Sequence, residues 1–306
     1  MAYGGPDSLE EVPGYLADIR SGRPTPARVV AEIRRNYERI GGRSPLRELS
    51  ERQVQAVARR LDAAAFRCYL GMRHWSPWIE EVVGRMLEDG ITRAVSVVLA
   101  PHYSAMSVGR YQAKIADGLA MHRGTMEIAS VTSYHDNPLY LQALAATVDE
   151  GLERWPAAER PSVHVVFSAH SLPARIVAEG DPYDAQVRET ARLVAAKCGL
   201  EPSRWSWSYQ SAGKSPEPWL GPQLEEYVSE LAARGIRSVL SVPVGFVSEH
   251  VEILYDIDIE AKQAAAGCGV RLERARALND DPLFVEALAE VVRAAAAPWL
   301  AAEAAA

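Results

Sequence analysis

A histidine and three carboxylates are the side chains in this sequence best suited to bind a metal or to move protons. His170 stands in "SAHSLP", directly after the apolar run "VHVVF", so we expect it where a buried strand ends and a loop begins. Glu252, Asp256 and Glu260 are four residues apart in "PVGFVSEHVEILYDIDIE", which places them along one stripe of a helix. A neutral imidazole binds divalent transition metals and titrates near neutral pH. His170 and Glu252 together suit either metal binding or proton transfer, and the residue types alone do not decide between them.

Each of these residues also has a purely structural interpretation. A histidine after an apolar strand is more often a satisfied core residue, and a row of acidic residues is more often a solvated helix face. Glu252, however, is surrounded by apolar neighbours: Val251, Ile253, Leu254 and Ile257. Carboxylates on a partly buried stripe are costly unless they meet a cation or pass protons, which favours a functional interpretation.

Length and composition are those of an ordinary protein of two domains. The chain has 306 residues, which fits two domains of about 150 residues better than one. It is 48% hydrophobic and 24% charged, and its net charge of −7 comes without a block of Lys or Arg, so nucleic acid is not an expected partner. No apolar run reaches the roughly 18 residues of a membrane span. The start "MAYGGPDSLEEV" lacks the basic and apolar segments of a secretion signal.

The cysteines indicate the redox compartment. Cys68, Cys198 and Cys268 are far apart and form no CxxC pair. Isolated cysteines suit reduced thiols, so we expect a cytoplasmic protein. The same pattern argues against a disulfide framework, a structural zinc site and an iron–sulfur cluster.

Short β-branched runs alternate with amphipathic helical stretches. The predicted strands are 66–72, 94–102, 127–134, 162–170, 203–211 and 238–246. Helical patterns lie between them, for example at 77–90 and 184–199. This alternation predicts an α/β fold with parallel sheets flanked by helices.

The alternation also repeats, which predicts two similar lobes. "FRCYLGMRHWSPWIEE" leads to "GITRAVSVVLAPH", and "SRWSWSYQSAGKSPEPWLGPQLEE" leads to "GIRSVLSVPVGF" in the same order of elements. We predict an N-terminal lobe over 1–155 and a C-terminal lobe over 156–306, with the final helix packing back toward the first lobe. Ligands bind outside the carboxyl ends of the strands of such sheets. The loops starting at His74, His102, His170 and Gly245 are therefore expected to face a common cleft.

Two of these motifs, "FSAHSLP" and "PVGFVSEHVEILYDIDIE", resemble the ferrochelatase family, whose members insert ferrous iron into a porphyrin in haem biosynthesis. The resemblance covers essentially the whole chain, since "MAYGGP", "YERIGGRSPL", "LAPHYSAMSVGRY" and "SPEPWLGP" match the family's pattern in order. The start "MAYG" is more similar to the bacterial coproporphyrin type than to the protoporphyrin type. The resemblance implies two Rossmann-like lobes of chelatase type with the active site in the cleft between them.

The resemblance also implies roles for individual residues. His170 and Glu252 match the catalytic metal-site pair, and Tyr3 matches the tyrosine on the opposite face of the macrocycle. The positions that match porphyrin contacts are Arg20, Asn36, Tyr37, Ser44 and Tyr111. Asp256 and Glu260 match outer carboxylates that carry protons out or metal in. The family usually has an arginine where Asn36 stands, and Arg34 or Arg35 could substitute.

The amino terminus departs from the family's pattern. The family has a strand of about six residues before the "AYG" motif, whereas Met1 directly precedes it here. A sheet without that strand would expose ladder groups that are otherwise paired. The resemblance therefore predicts that the native chain starts upstream of Met1.

The resemblance implies a porphyrin and ferrous iron as substrates, no tightly bound cofactor and no iron–sulfur cluster. The resemblance is also compatible with transient contact between this protein and neighbouring haem-pathway enzymes. The preferred product is Fe-coproporphyrin III, with protoporphyrin IX or sirohydrochlorin as alternative macrocycles. A haem- or metal-binding protein without turnover is the alternative from a different class.

The remaining histidines carry weaker predictions. His74 is a secondary candidate for binding metal at the mouth of the cleft, although Arg73 beside it could equally reach a propionate. His102 is a weaker candidate still. We interpret His122, His135 and His164 as structural. His250, two residues before Glu252, is expected on another side of the helix, without a ligand role.

Overall fold

The computed structural model describes residues 1–304, which form two compact units. Unit 1 contains Met1–Tyr134 and the chain from Asn279 onward, and unit 2 contains His135–Leu278. The predicted lobe boundary near residue 155 therefore lies about one helix too late. The reason is that helix Pro138–Leu152 packs against helix Tyr183–Lys197 and strand Ser238–Val242, both in unit 2.

Helices make up most of the regular structure. In chain order the α-helices are α1 Val12–Ile19, α2 Ala27–Arg39, α3 Leu46–Ala58, α4 Ile79–Glu88, α5 Val108–Met121, α6 Pro138–Leu152, α7 Arg175–Ala178, α8 Tyr183–Lys197, α9 Leu224–Ala233, α10 Val251–Leu254, α11 Lys262–Gly267 and α12 Pro282–Ala304. Short 3-10 turns lie at Leu9–Glu11, Arg160–Ser162 and Pro202–Arg204. A π-helical segment, Asp256–Ala261, connects α10 to α11.

The described strands are β1 Arg93–Ser96, β2 Glu127–Ser130, β3 His164–His170, β4 Trp205–Gln210, β5 Ser238–Val242 and β6 Arg271–Arg274. All pairings within the two sheets are parallel, as the strand–helix alternation predicts. Five of the six predicted strands are confirmed with shorter bounds. Strand β6 was missed because its four residues, "RLER", are mostly charged and give no β-branched run.

Unit 1 has a small sheet, in which β1 pairs with β2 from Arg93↔Glu127 to Ser96↔Ser130. The predicted strand at 66–72 is wrong: among the described residues this segment forms only isolated bridges, from Met72 to Ala2 and Trp78. A strand needs a continuous ladder of partners, and these bridges occur at a single residue. Helix α12 packs against α3, β1 and β2, so it belongs to unit 1.

Unit 2 has a larger sheet in the order β4-β3-β5-β6. Strand β3 is central, and every residue from His164 to Ala169 is buried. Its Val and Phe side chains are fully buried, which contributes about 1.5–3 kcal/mol each. The two units therefore share parallel pairing, but their described sheets differ in size, two strands against four.

Helix α6 shows why the second unit begins where it does. Asn137 precedes the helix and its side chain accepts hydrogen bonds from the backbone N–H groups of Leu139 and Tyr140. Pro138 occupies the first turn, where no backbone donor is needed. The helix then buries Tyr140, whose hydroxyl donates to the Val244 carbonyl at 2.8 Å, directly after β5.

Candidate functional site

Strand β3 places His170 at the end of the unit 2 sheet where the carboxyl ends of the parallel strands lie. His170 is its last residue, and the Tyr183 hydroxyl donates a hydrogen bond to the His170 carbonyl at 2.9 Å. Nδ1 of the imidazole contacts the carbonyl oxygen of Ser171. Because a carbonyl can only accept, Nδ1 carries the proton, and Nε2 is left as the basic, metal-binding nitrogen.

Glu252 lies near His170, in the segment that follows β5. Gly245 in this segment packs so closely on β3 that a Cβ there would lie 2.6 Å from the Ala169 Cβ. The chain then enters α10, and Glu252 Oε1 comes to 3.6 Å from His170 Nε2. Metal–nitrogen and metal–oxygen bonds are each about 2.1 Å long, so one ion can reach both atoms. The pair predicted from spacing is therefore brought together within unit 2.

His250 lies elsewhere than predicted, whereas the prediction that it has no ligand role stays a prediction. It was expected on another side of the helix, yet its Nε2 lies 3.4 Å from Glu252 Oε2. The helical wheel does not apply, because His250 is the extended N-cap residue before α10 rather than part of the helix. Its Nδ1 faces the Ser248 carbonyl at 3.0 Å, so Nε2 is again the basic nitrogen.

The two histidines control the charge of Glu252. Burial alone would raise the pKa of the Glu252 carboxyl, but the neighbouring His170 and His250 outweigh it, and the pKa is lowered. Glu252 is therefore ionised at neutral pH. The Glu252 carboxylate oxygen and the His170 imidazole nitrogen, 3.6 Å apart, form an incomplete metal site with open coordination positions.

The acidic stripe is confirmed as a row of neighbours, although not on one continuous α-helix. Glu252 lies in the four-residue α10, while Asp256 and Glu260 lie in the π-helical segment. Among the partners of Asp256, the Ser211 hydroxyl donates a hydrogen bond to its carboxyl group. Burial, then the negative charge of Glu252, raises the pKa of Asp256 to about 7. Glu260 and Glu225 add smaller contributions in the same direction.

Arg274 in β6 fixes the position of the π-helical segment through ion pairs. Its guanidinium group contacts Asp258 at 2.7 to 3.1 Å and Glu249 at 3.2 Å. The Arg274 side chain is only 9% exposed, so the network is largely shielded from water. Asp258 lies between Asp256 and Glu260 in sequence, and Glu249 precedes His250. One buried cation thus anchors both segments that carry the acidic site residues.

The site residues predicted in the first half of the chain lie in unit 1. The Tyr3 side chain is 36% exposed, and its ring lies 4.6 Å from the His74 ring. The Arg73 guanidinium lies over both Tyr3 and Tyr111, at 5.9 and 5.6 Å from the ring centroids. His74 Nδ1 lies 2.7 Å from Asp18 Oδ2, while burial lowers the pKa of His74.

The other predicted porphyrin contacts differ in exposure. Arg20 is exposed and Asn36 is half-buried. Tyr37, Ser44 and Tyr111 are buried, with 1%, 6% and 3% of their surface accessible. The contact of all five with a macrocycle stays a prediction.

Exposed arginines are concentrated in one segment of unit 1, which we call the arginine segment and define as residues 20–43. It contains Arg20, Arg23, Arg28, Arg34, Arg35, Arg39 and Arg43, all exposed, and two acidic residues, Glu32 and Glu38. Arg34 forms ion pairs with Glu10 and Glu38. The net charge of −7 gives no sign of this cluster, because acidic residues elsewhere in the chain outnumber the basic ones. A count of arginines in a sliding window along the sequence would have identified it.

The remaining candidates form no further metal centre within residues 1–304, where no group of three or more His, Cys, Asp or Glu side chains is arranged to hold an ion. His164 is structural, as predicted: its Nε2 lies 2.8 Å from the Ser206 hydroxyl, and burial lowers its pKa to about 4. None of the helices formed by the described residues combines the length and apolarity needed to cross a membrane.

The fold defines a class of protein. Two solved structures of the sirohydrochlorin chelatase SirB align with this chain, one from Bacillus subtilis with Fe3+ and one from its subspecies spizizenii with cobalt. The first covers 82% of this chain and 89% of its own, with a TM-score of 0.61 and 13% identity. The second has a TM-score of 0.57 and 14% identity. At such identities the likeness concerns the fold alone, and that fold is the chelatase type.

Sequence comparison specifies the class further. The family model described as Ferrochelatase matches residues 1–296. A ferrochelatase of Deinococcus radiodurans is 54% identical over 299 residues, covering 97% of this chain and 95% of that protein. A coproporphyrin III ferrochelatase of Geobacillus kaustophilus is 40% identical over 297 residues, covering 95% and 93%. The chain belongs to the ferrochelatase family, the enzymes that insert iron into porphyrin in haem biosynthesis.

Proposed function

We propose that this chain inserts ferrous iron into coproporphyrin III, with His170 and Glu252 as the groups that meet the metal. The observation that carries the assignment of the site is the 3.6 Å separation between His170 Nε2 and Glu252 Oε1. Iron is a substrate here, so an incomplete site with open positions suits a metal that must leave for the macrocycle. A closed site of four protein ligands would retain it.

The proposed mechanism begins with the protonation state of His170. The Ser171 carbonyl holds the proton on Nδ1, so Nε2 can either bind Fe2+ or accept a proton from a pyrrole nitrogen. Glu252 remains anionic and stabilises positive charge on the metal or on a protonated His170. A free porphyrin loses two inner N–H protons as the metal enters, so the site must also remove protons.

Asp256 is suited to receive those protons. Its pKa of about 7 lets the carboxyl group accept and release a proton at neutral pH, which an ordinary aspartate does poorly. It lies one turn beyond Glu252, and Glu260 continues the row to an exposed position. We propose that this row carries protons out, or metal in.

The choice of coproporphyrin III rests on charge and on relatives. Coproporphyrin is a tetracarboxylate, whereas protoporphyrin carries two carboxylates and two vinyl groups. The arginine segment supplies more cationic side chains than a dicarboxylate needs, and guanidinium groups bind carboxylates in a bidentate manner. Several relatives near 40% identity carry the name coproporphyrin III ferrochelatase. A cytoplasmic location and transient contact with neighbouring haem-pathway enzymes belong to the same proposal.

An anaerobic turnover assay tests the proposal. The protein is mixed with Fe2+ and with coproporphyrin III, protoporphyrin IX or sirohydrochlorin, and the absorption bands of the free macrocycle are followed. We expect multiple turnovers and the highest kcat/KM with coproporphyrin III. A higher kcat/KM with another macrocycle would refute the substrate assignment. Binding of a macrocycle without turnover would indicate a non-catalytic haem- or metal-binding protein.

A further inference from the structure

Gln210 is a fully buried polar residue beside the metal-site pair. It is the last residue of β4 and the register partner of His170, the last residue of β3. None of its surface is accessible to solvent. A buried amide is costly unless its donor and acceptor are both satisfied, so its hydrogen bonds show what it holds together.

The side-chain amide of Gln210 joins the two elements that carry the site. Its Nε2 donates to the main-chain carbonyl of Glu252 at 2.8 Å. Its Oε1 accepts from the hydroxyl of Ser168, two residues before His170, at 2.8 Å. In addition, the main-chain carbonyl of Gln210 accepts from the Ser171 N–H at 2.7 Å. One side chain therefore connects the His170 strand directly to the backbone of Glu252.

We propose that Gln210 is a positioning residue for the metal-site pair, an inference that rests on the proposed function. Helix α10 has only four residues, and even with the π-helical segment that continues it, its internal hydrogen bonds do not set its distance from β3. The position of Glu252 relative to β3 must therefore come from contacts outside the helix. The Gln210 amide supplies such a contact at Glu252 itself, and its other end is fixed to the strand of His170.

The hydrogen bond acts on metal binding through geometry rather than by touching the metal. A metal ion that bridges His170 Nε2 and Glu252 Oε1 requires their separation to be held within a few tenths of an ångström. Loss of outer contacts that orient metal ligands lowers metal affinity or activity by roughly 10- to 100-fold. Porphyrin affinity has no such dependence, because the predicted macrocycle contacts lie on other residues.

Unit 1 offers a matched control. Gln53 in α3 is also a glutamine with no accessible surface, and its Nε2 donates to a main-chain carbonyl, that of Asn279, at 2.7 Å. The same substitution at Gln53 removes a comparable buried hydrogen bond in the unit that does not contain His170 and Glu252. It therefore reports the effect of the chemical change without a change at the metal-site pair.

The experiment compares the wild type with Gln210→Met, Gln210→Leu and Gln53→Met. Methionine keeps the length of glutamine and removes the amide, while leucine at position 210 removes the amide with a smaller apolar side chain. Three quantities are measured: KM and kcat for Fe2+, KM for coproporphyrin III, and the affinity for Co2+ alone, followed by its visible absorption. Circular dichroism checks that each variant is folded.

We expect both Gln210 variants to lower kcat/KM for Fe2+ and the affinity for Co2+ by roughly 10- to 100-fold. KM for the porphyrin should stay within about twofold, and Gln53→Met should change all three quantities by less than about twofold, as expected of an independent site. If Gln210→Met is unfolded, Gln210→Leu decides the question.

Wild-type values for Fe2+ and Co2+ in a folded Gln210 variant would overturn the inference. Equal loss of metal and porphyrin affinity would also overturn it, since that describes a general structural role. Absence of turnover in the wild type would instead refute the proposed function. The Co2+ titration would then still show whether Gln210 positions the pair.

Discussion

The two units of this chain place their predicted site residues in contrasting environments. In unit 2, His170 ends a fully buried central strand, and Glu252 is held near it by hydrogen bonds from buried groups. In unit 1, Tyr37, Ser44 and Tyr111 are buried as well, whereas Arg20 is exposed and Tyr3 is partly exposed, both on segments outside the sheet. Metal chemistry needs distances fixed to tenths of an ångström, whereas attraction of a carboxylate tolerates mobile arginines.

This contrast predicts that substitutions in the two units affect different kinetic constants. Changes in unit 2 should act on metal insertion and kcat, because they alter the geometry or charge at the reacting atoms. Changes in the arginine segment should act on KM for the porphyrin, because they alter binding that is uniform along the reaction.

The largest expected effect follows from His170→Ala. Removing the imidazole eliminates both the metal ligand and the proton acceptor, so turnover should fall by roughly 100-fold or more. Porphyrin binding, measured by fluorescence titration, should remain. His122→Ala is the control, because His122 is an exposed histidine of unit 1 and should leave turnover unchanged. Near-normal turnover of His170→Ala would refute its assignment.

Arg274→Leu should destabilise the protein strongly. The substitution removes the largely buried cation that Asp258 and Glu249 share and leaves Asp258 with its ion pair to Lys262 at 3.3 Å. Breaking a buried pair typically costs about 3–5 kcal/mol of unfolding free energy, which is the upper limit here because the two carboxylates are 24% and 30% exposed. Arg276→Leu is the matched control, because the Arg276–Glu150 pair is 37% and 51% exposed and should contribute less than about 1 kcal/mol. Urea denaturation of both variants measures the difference. Equal losses would show that Arg274 is no more important than a surface arginine.

Asp256→Asn should change how stability depends on pH. In the wild type the pKa of Asp256 is raised from 3.8 to about 7, so unfolding releases a proton between these values and stability falls as pH rises through them. Asparagine does not ionise, so the variant does not lose stability in this way as the pH rises. The variant should gain stability relative to wild type between about pH 4 and pH 7, with an upper limit of about 4 kcal/mol above pH 7.

Thermal unfolding across this pH range measures the gain, and turnover at neutral pH should decrease because the carboxyl group can no longer exchange protons. In the wild type, the pKa of the Asp256 carboxyl group is raised by the charges of Glu252, Glu260 and Glu225. The hydrogen bond from the Ser211 hydroxyl lowers it. A stability difference that does not vary between pH 4 and pH 7 would show that Asp256 is an ordinary acid.

The smallest effects are expected in the arginine segment. Arg35→Ala removes one exposed charge, which is worth about 0.2–1 kcal/mol, so KM for coproporphyrin III should rise by a factor between about 1.5 and 5. The kcat should not change. Arg59→Ala, another exposed arginine of unit 1 outside the segment, should leave KM as it is. A larger change in kcat than in KM would contradict the division between the units.

Much of the fold was predictable because strand–helix alternation is a local signal. The apolar run of β3 and the helical periodicity of α4 and α8 identified these elements directly. Segment 66–72 has an equally strand-like composition but lacks continuous ladder partners, which a single sequence does not reveal. The boundary at Tyr134 depends on which sheet α6 packs against, and that is a tertiary property.

The site was predictable to the extent that its residues carry unusual chemistry. His170 and Glu252 were identified from a strand end and an acidic helix. His250 was missed because it is the extended residue before α10, where helical spacing does not apply, and Gln210 was missed because a strand-end glutamine resembles any polar loop residue. The raised pKa of Asp256 depends on burial and on Glu252, so it is a property of the tertiary structure that the sequence does not reveal.

A double-mutant cycle of His170→Ala and Glu252→Gln in single-turnover Fe2+ insertion measures whether the two side chains act on the same metal ion. If both side chains act on one metal ion across the 3.6 Å gap, removing the second after the first should cost little. We expect the double variant to be about as slow as the slower single variant. Fully additive losses, in which the double variant is slowed by the product of the two single factors, would contradict it.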